Sequence, residues 1–175
     1  MEVCEVNLHT NGGQEYLENA VKYPIDERRV LAKGFGVTTH DPDIAVMQFS
    51  KTAKFYNNEN KTPLFHYVLS FTKKTASSAE QAMELSEKIF KPITDDHLAL
   101  IGIHNKKRGD SEYHAHVAIS PTNYINGNMM YADNSTLFPI AQRMADATGQ
   151  ECRLVVKPED KQKKEFHKVF KPHVK

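Results

Sequence analysis

Cysteine is scarce in this chain, which has only Cys4 and Cys152 among its 175 residues. Two isolated cysteines cannot form a disulfide framework, and their spacing is not that of a zinc finger. No apolar stretch approaches the roughly 20 residues that a transmembrane helix needs, and the first residues contain no apolar signal-peptide segment. We therefore expect a reduced cytoplasmic protein with no contact to a membrane.

A large net charge is also lacking, because 23 Lys and Arg residues against 22 Asp and Glu residues give +1 at pH 7. A chain with this balance does not bind nucleic acid through a general positive field. The basic residues are unevenly distributed, however, and the last nineteen residues hold seven lysines. Any nucleic-acid site is therefore expected to be a local basic groove, with these candidates: Lys51, Lys54, Lys73, Lys74 and Arg108.

Three histidines carry the clearest chemical signal. His114 and His116 are two residues apart, so on a strand both side chains leave the same face. The apolar stretch 98–103 predicts a preceding strand, and the polar residues 105–112 predict a loop that closes a hairpin. The hairpin would bring His104 beside the pair. Three neutral imidazoles on one face predict a divalent-metal site with open positions for substrate oxygens.

Such a metal site suits phosphodiester chemistry, because a divalent ion neutralises charge on phosphate oxygens. Cleavage also needs a nucleophile, and with no activated serine or cysteine evident the candidate is a tyrosine hydroxyl. A hydroxyl with a pKa near 10 needs an ion or a neighbouring base. His66 lies at the start of the strongest predicted strand, 64–71, and is the candidate base. The alternative for His66 is a strand residue with one ordinary hydrogen bond.

The rest of the chain alternates between helical and strand patterns. Apolar spacing and breaker residues predict further strands at 1–8 and 153–156, helices at 14–24, 41–56, 75–91 and 137–148, and turns at 10–13, 34–37 and 126–127. Pro92 is expected to end the third helix, and the turn at 126–127 to close a hairpin. The pattern indicates an α+β fold with a central antiparallel β-sheet and flanking helices. We expect one domain at 1–156 and a basic C-terminal tail at 157–175, either helical or the start of a further region.

The trio His104, His114 and His116 resembles the HUH signature of single-strand nucleases that use a catalytic tyrosine. Residues 18–27, which contain Val-Lys-Tyr23-Pro, resemble the first motif of P-type conjugative relaxases, the plasmid mobilisation nucleases. Residues 65–71 resemble the second motif of these enzymes, a strand ending in Ser-Phe whose serine, here Ser70, contacts DNA beside the nick. The resemblance covers about residues 15 to 150.

The resemblance implies an HUH endonuclease fold and a strand-specific nicking reaction at an origin of transfer. Tyr23 would attack the phosphorus and form a 5′-phosphotyrosine link, and the freed 3′-hydroxyl would later reseal the strand. The three histidines would hold Mg²⁺ or Mn²⁺, with Zn²⁺ or Ni²⁺ as substitutes in vitro. Ser70, Asn123 and the basic residues would contact single-stranded DNA. Accessory relaxosome proteins and a coupling protein are the further partners implied, in the bacterial cytoplasm.

The sequence departs from the family pattern after His104, where residues 105–107 are Asn-Lys-Lys and replace the usual acid. Asp110 and Glu112 are both candidates for the carboxylate that orients an imidazole, and their spacing does not choose between them.

Two alternatives concern the reaction itself. Tyr16 is a second candidate for the nucleophile in the relaxase interpretation. An HUH enzyme of the replication or transposition branch would instead use a tyrosine after the hairpin, Tyr124 or Tyr131. A non-catalytic DNA-binding accessory domain on the same fold is the alternative from a different class.

Overall fold

A seven-stranded β-sheet forms the centre of the protein in the computed structural model, which describes residues 1–8 and 13–173. The strands are β1 (Glu2–Asn7), β2 (Arg29–Phe35), β3 (Phe65–Thr72), β4 (His97–Arg108), β5 (Ser111–Asn123), β6 (Cys152–Lys157) and β7 (Phe166–Phe170). The helices of the described chain are α1 (Gly13–Lys22), α2 (Pro42–Phe55), α3 (Ala79–Thr94) and α4 (Asn134–Thr148), and a 3₁₀ turn spans Tyr23–Ile25. We call this 3₁₀ segment the Tyr23 turn.

The strand order is β2-β4-β5-β3-β1-β6-β7. Neighbouring strands are antiparallel except for β1 and β6, which are parallel. The predicted α+β architecture is therefore confirmed, with one parallel pair within an otherwise antiparallel sheet. The predicted turn at 10–13 lies largely outside the described residues.

Alternation along the strands gives the sheet two different faces. In β3, Tyr67 and Leu69 point to one face, and His66 and Ser70 point to the other. The first face packs against α3 and α4 and forms the larger core, which contains Phe90, Ile101, Val117, Ile140 and Met144 among others. This core holds the central strands rigidly in register, so side chains on the opposite face have fixed positions.

The opposite face is only partly covered. A smaller core joins α1, the Tyr23 turn and α2 to strands β4 and β5, through residues that include Leu17, Val21, Ile25, Phe49, Leu100 and Ala118. The predicted histidines lie on this face, beside the smaller core. The sheet therefore separates a mainly apolar side from a side that combines apolar packing with a cluster of histidines.

The helix prediction was wrong at one end. Pro92 was expected to close the third helix, but α3 continues through it to Thr94. A proline in the last turn removes one backbone hydrogen bond, and Ile93 and Thr94 beyond it are buried. Tertiary packing thus outweighs the local signal. No α-helix of the described chain is both long and apolar enough to cross a bilayer.

The central hairpin is longer than predicted. Residues 105–112 were expected to be a loop, but β4 reaches Arg108 and β5 begins at Ser111, which leaves only Gly109 and Asp110 as the turn. Gly109 has a φ of +57°, a conformation that glycine adopts without strain. The polar side chains of this stretch concealed the strands because they project from the protein, while the backbone of the two strands pairs with itself.

Two other turn predictions were incomplete. Gly34 and Phe35, expected in a turn, belong to β2, which is exposed or half-buried along its length and so lacks a strand pattern. The turn at 126–127 is present, with Gly127 at a φ of +76°. In the described chain it is followed only by an isolated bridge between Thr122 and Met129, not by the second strand of a hairpin.

The interpretation of the tail as a helix was wrong, because Phe166–Phe170 forms the edge strand β7 against β6. Phe170 is buried and packs edge-on against Phe138 of α4, with ring centroids 5.3 Å apart. A strand at a sheet edge needs a partner on one side only, and β6 supplies it. The start of a further region at residue 157 stays a prediction.

Candidate active site

The β4–β5 register brings histidines together on the partly covered face. His104 lies directly opposite His114, and His116 lies opposite Gly102 on β4 and Val68 on β3. His66, two residues before Val68, is on the same face. All of these positions belong to three adjacent strands at the centre of the sheet. The site is therefore built on paired strands of the sheet and not on loops.

Gly102 allows the Tyr23 turn to lie directly on the sheet. A Cβ atom at position 102 would lie 1.6 Å from the carbonyl oxygen of Pro24 and 2.4 Å from its carbonyl carbon. Both are backbone atoms, so they cannot move aside as a flexible side chain could. The absence of a side chain beside His116 is thus what lets the turn reach the histidines.

The ring of Tyr23 contacts three imidazoles. Its centroid lies 4.7 Å from that of His116, 5.4 Å from that of His104 and 5.8 Å from that of His66. His104 and His116 also contact each other, with centroids 4.5 Å apart. The fold therefore unites a tyrosine from an N-terminal turn with histidines that are 43 to 93 positions later in the chain.

A cavity of about 300 Å³ opens beside this cluster. It is lined by Tyr23, Arg28, His104, Asn105, Lys106, His114 and His116. The three predicted metal ligands are buried, with exposed fractions of 5% for His104, 2% for His114 and 8% for His116.

Two charged residues of the site were missed in the sequence. Asp26 Oδ1 lies 3.7 Å from Nε2 of His104, and Asp26 also pairs with Arg28. The guanidinium carbon of Arg28 lies 4.5 Å from the centroid of the Tyr23 ring. Their only signal in the sequence is the charged run 26–29 directly after the tyrosine motif. Asp26 is thus a carboxylate beside His104, whereas the sequence had offered Asp110 and Glu112 of the hairpin. Glu112 lies 3.6 Å from Lys73.

Burial and charge set the protonation of these groups. Burial lowers the pKa of His104, so its imidazole is neutral at neutral pH, as a metal ligand must be. Burial raises the pKa of Asp26, but hydrogen bonds from Arg28 outweigh this effect and hold the pKa below its ordinary value. The hydrogen bond to Asp26 raises the pKa of Arg28. The two residues therefore remain an ion pair at neutral pH.

Imidazole nitrogens are donors that divalent ions accept in proteins. Both ring nitrogens of His114, however, lie within hydrogen-bond distance of other protein atoms. Nε2 of His104 is buried and has no hydrogen-bond partner within the described chain. Nδ1 of His114 lies 2.8 Å from Ser70 Oγ, and its Nε2 lies 2.8 Å from the Lys106 carbonyl oxygen. As placed here, no three His, Cys, Asp or Glu side chains of the described residues are grouped to hold a metal.

The other tyrosines differ from Tyr23 in their surroundings. Tyr16 packs against the smaller core, and burial raises its pKa to about 12. The Tyr124 hydroxyl donates to the Asp95 carbonyl oxygen at 2.7 Å, beyond the far end of β5. At about 3.3 Å per strand residue, this position is roughly 25 Å from His116. Tyr131 is exposed and lies beyond Tyr124 in the chain.

Two of the predicted DNA-contacting lysines lie close to the histidines. Ser70 contacts His114, and β3 continues from it to Thr72 and to Lys73 and Lys74. Both lysines are exposed and line a second cavity of about 500 Å³, together with Thr72, Gly109 and Asp110 among others. Ser70, which contacts His114, and the two lysines therefore follow one another along β3 and the residues directly after it.

The remaining predicted DNA contacts are more scattered. Lys51 and Lys54 are exposed on α2, and the side chain of Arg108 lies outside the described part of the structure. Asn123 is buried, donates to Asp96 at 2.7 Å and accepts from the Ile125 amide at 2.8 Å. Because its polar atoms stabilise the turn after β5, we do not include Asn123 in the groove.

Comparison with protein families gives a match that spans this whole arrangement. The family model "Relaxase: MobA/VirD2-like, nuclease domain" matches residues 16–154, which include Tyr23 and the histidines of the cluster. The chain belongs to this relaxase family. Comparison with curated protein sequences finds no significant match. The resemblance inferred from the sequence is thus confirmed at the level of the family.

Membership supports a general function. A relaxase nuclease domain nicks DNA during plasmid mobilisation, acts on single-stranded DNA and generally depends on a divalent metal. The relaxase domain described here is therefore a nuclease in general terms, and its individual residue roles are taken up below.

The contact between Gly102 and Pro24 can be tested with Gly102→Ala. We expect the added methyl group to displace the Tyr23 turn and to lower the free energy of unfolding by about 1–3 kcal/mol, the usual cost of overpacking. Hydrogen exchange followed by mass spectrometry should show faster exchange in residues 22–29. Gly149→Ala is the control, because a Cβ there meets nothing within 4 Å and the strain of alanine at its φ of +65° is confined to the end of α4. It should cost stability without changing exchange in residues 22–29. Unchanged exchange in residues 22–29 of Gly102→Ala would contradict the steric argument.

Proposed function

We propose that this relaxase domain nicks one DNA strand at a specific site in an origin of transfer, with Tyr23 as the nucleophile. The observation that carries the proposal is the contact of the Tyr23 ring with three imidazoles beside a cavity. Tyr16 is half-buried against the smaller core, and the Tyr124 hydroxyl donates to a backbone carbonyl at the far end of β5. Their surroundings favour Tyr23 over both.

The reaction would be a transesterification. The Tyr23 hydroxyl oxygen attacks the phosphorus, a new O–P bond forms, and the bond from phosphorus to the 3′-oxygen breaks. The hydroxyl proton leaves to a base, for which we propose His66, and the 3′-oxygen gains a proton. The product is a 5′-phosphotyrosine link and a free 3′-hydroxyl, whose attack on the link later reseals the strand. No water or nucleotide is consumed, because the link retains the phosphodiester energy.

We propose that His104, His114 and His116 hold the divalent ion, with Mg²⁺ or Mn²⁺ as the ion used. When bound, the ion would neutralise charge on the phosphate oxygens. His114 has to exchange one of its present hydrogen bonds, to Ser70 or to the Lys106 carbonyl, for this role. Asp26, at 3.7 Å from Nε2 of His104, stabilises positive charge at the site.

The single strand would run from the imidazole cavity past Ser70 to the cavity that Lys73 and Lys74 line. Thr72 lies about 7 Å along the strand from Ser70, so the two cavities are within the reach of one or two nucleotides. Lys106, in the wall of the first cavity, adds a positive charge. From the family resemblance we also propose accessory relaxosome proteins and a coupling protein as partners, and the bacterial cytoplasm as the location.

Tyr23→Phe removes only the attacking oxygen and keeps the ring. We expect this variant to bind metal and DNA as the wild type does but to form no covalent adduct, on a denaturing gel with labelled origin oligonucleotide. Tyr16→Phe is the control and should retain the adduct. Peptide mapping of the wild-type adduct should place the phosphotyrosine at Tyr23. A link at Tyr124 or Tyr131 would support the replication or transposition branch, and the absence of any adduct a non-catalytic DNA-binding domain.

The ligand set can be tested by calorimetric titration with Mn²⁺. Substitution of His104, His114 or His116 by Ala should weaken binding by about a hundredfold, since each loss removes one of three protein donors. His97→Ala is a matched control, because His97 is also a buried imidazole of β4 but lies at the other end of the strand. Mn²⁺ affinity that is unchanged in His114→Ala would exclude this residue from the set.

The basic groove predicts a defined dependence on salt. Each phosphate contact to a single strand contributes about 0.7 to the slope of log affinity against log salt. Replacing both Lys73 and Lys74 by Ala should therefore reduce the slope by about 1.4, measured by fluorescence anisotropy of a labelled oligonucleotide. The same double substitution of Lys51 and Lys54 shows whether α2 takes part. Affinity that does not respond to salt would indicate that the lysines are only solvated.

A further inference from the structure

Arg28 is held in a defined orientation although it is exposed. Its Nε donates to Asp26 Oδ2 at 2.9 Å, its Nη2 donates to the same oxygen, and its backbone amide donates to Asp26 Oδ1 at 2.9 Å. An exposed arginine side chain normally samples many rotamers. The two guanidinium hydrogen bonds to Asp26, two residues earlier in the chain, remove much of this freedom. The backbone hydrogen bond fixes the position of the carboxylate that accepts them.

This orientation places the guanidinium at the nucleophile. It lies over the Tyr23 ring at 4.5 Å and interacts electrostatically with that side chain. It also lines the imidazole cavity together with Tyr23, His104 and His116. A phosphodiester that reaches the Tyr23 hydroxyl through this cavity therefore comes within reach of the guanidinium.

The remaining donors of Arg28 suit a phosphate. A guanidinium has five N–H donors in a plane. Asp26 takes one from Nε and one from Nη2, and the Tyr23 side chain is a further hydrogen-bond partner. The others can donate to two oxygens of a phosphate, a geometry that a lysine ammonium does not provide. Asp26 neutralises part of the charge of the guanidinium and so stabilises it beside the cavity.

Arg29, the next residue, shows that this placement is specific. Its guanidinium donates to the carbonyl oxygens of Ile25 and Asp26, and the residue lines a different cavity, beside β2. Two adjacent arginines with the same charge therefore differ in what they face. Arg29 faces backbone, and Arg28 faces the nucleophile.

We propose that Arg28 binds a non-bridging oxygen of the scissile phosphate, and that Asp26 acts as the positioning residue for its guanidinium. The proposal rests on the function proposed for Tyr23. It adds a protein cation on the tyrosine side of the phosphate, in addition to the charge of an ion held by the histidines. Arg28 would bind the phosphate in the ground state and stabilise the extra negative charge that develops on its oxygens during attack.

The test is a scan of oligonucleotides in which one phosphate at a time is replaced by an uncharged methylphosphonate. Affinity is measured by fluorescence anisotropy in the Tyr23→Phe background, so that no strand is cut and the ring under Arg28 is kept. At one linkage the replacement should weaken binding by about ten- to a hundredfold, the range of a charged hydrogen bond. With Arg28→Ala added, this linkage should lose its effect and the others should retain theirs.

Three further variants give the controls in the same background. Arg29→Ala removes the same charge one residue away and should leave the scan unchanged. Arg28→Lys should restore part of the effect at the one linkage, because it keeps the charge and loses the fork. Asp26→Asn keeps the shape of the side chain and should reduce the effect, since the guanidinium is no longer fixed.

Persistence of the full methylphosphonate effect in Arg28→Ala, or its loss in Arg29→Ala as well, would overturn the proposal. So would a scan with no sensitive linkage. In the wild type, the sensitive linkage should be the one that is nicked. An adduct that maps to another tyrosine would overturn the role of Tyr23, whereas the scan reports on Arg28 whether or not any strand is cut.

Discussion

The approach of the Pro24 backbone to Gly102 is the contact on which the geometry of the site depends. Because Gly102 has no side chain, the Tyr23 turn lies directly on strands β3, β4 and β5, which carry the histidines. The contact is between backbone atoms and is surrounded by the smaller core, in which Ile25 of the same turn is buried. Apolar burial on one side of the turn therefore holds the tyrosine on the other side in place.

The two faces of the sheet divide the work of stability and chemistry. The face under α3 and α4 carries the larger apolar core, and this core stabilises the strand pairing while the opposite face carries four histidines. The hydrogen bonds between paired strands fix the positions from which their side chains project, and a loop gives its side chains less precise positions. The lysines after β3 and in the hairpin, by contrast, are exposed.

Charge at the site is arranged in a chain of close contacts. Asp26 lies between the imidazole of His104 and the guanidinium of Arg28, and Arg28 lies over the ring of Tyr23. One carboxylate thereby links a metal-ligand candidate to the residue over the nucleophile. Only the His104 end of this chain of contacts is buried, and water screens the exposed Arg28 more strongly. The compact run of six residues from Tyr23 to Arg28 thus supplies both the proposed nucleophile and the polar groups around it.

The sequence alone determined the fold class, the family and the three histidines of the hairpin, because these depend on local patterns. Alternation in 64–71 and the His-x-His spacing specify a face of a strand without any knowledge of its neighbours.

The tertiary structure decided which exposed segments form edge strands and which distant residues meet at the site. The edge strands β2 and β7 lack a clear pattern, since their side chains are largely exposed and their stability comes from pairing with β4 and β6. The meeting of Asp26 and Arg28 with the histidines required the turn to fold onto Gly102, a contact between residues 78 positions apart. Local propensity acts over a few residues, and only packing brings such distant groups close together.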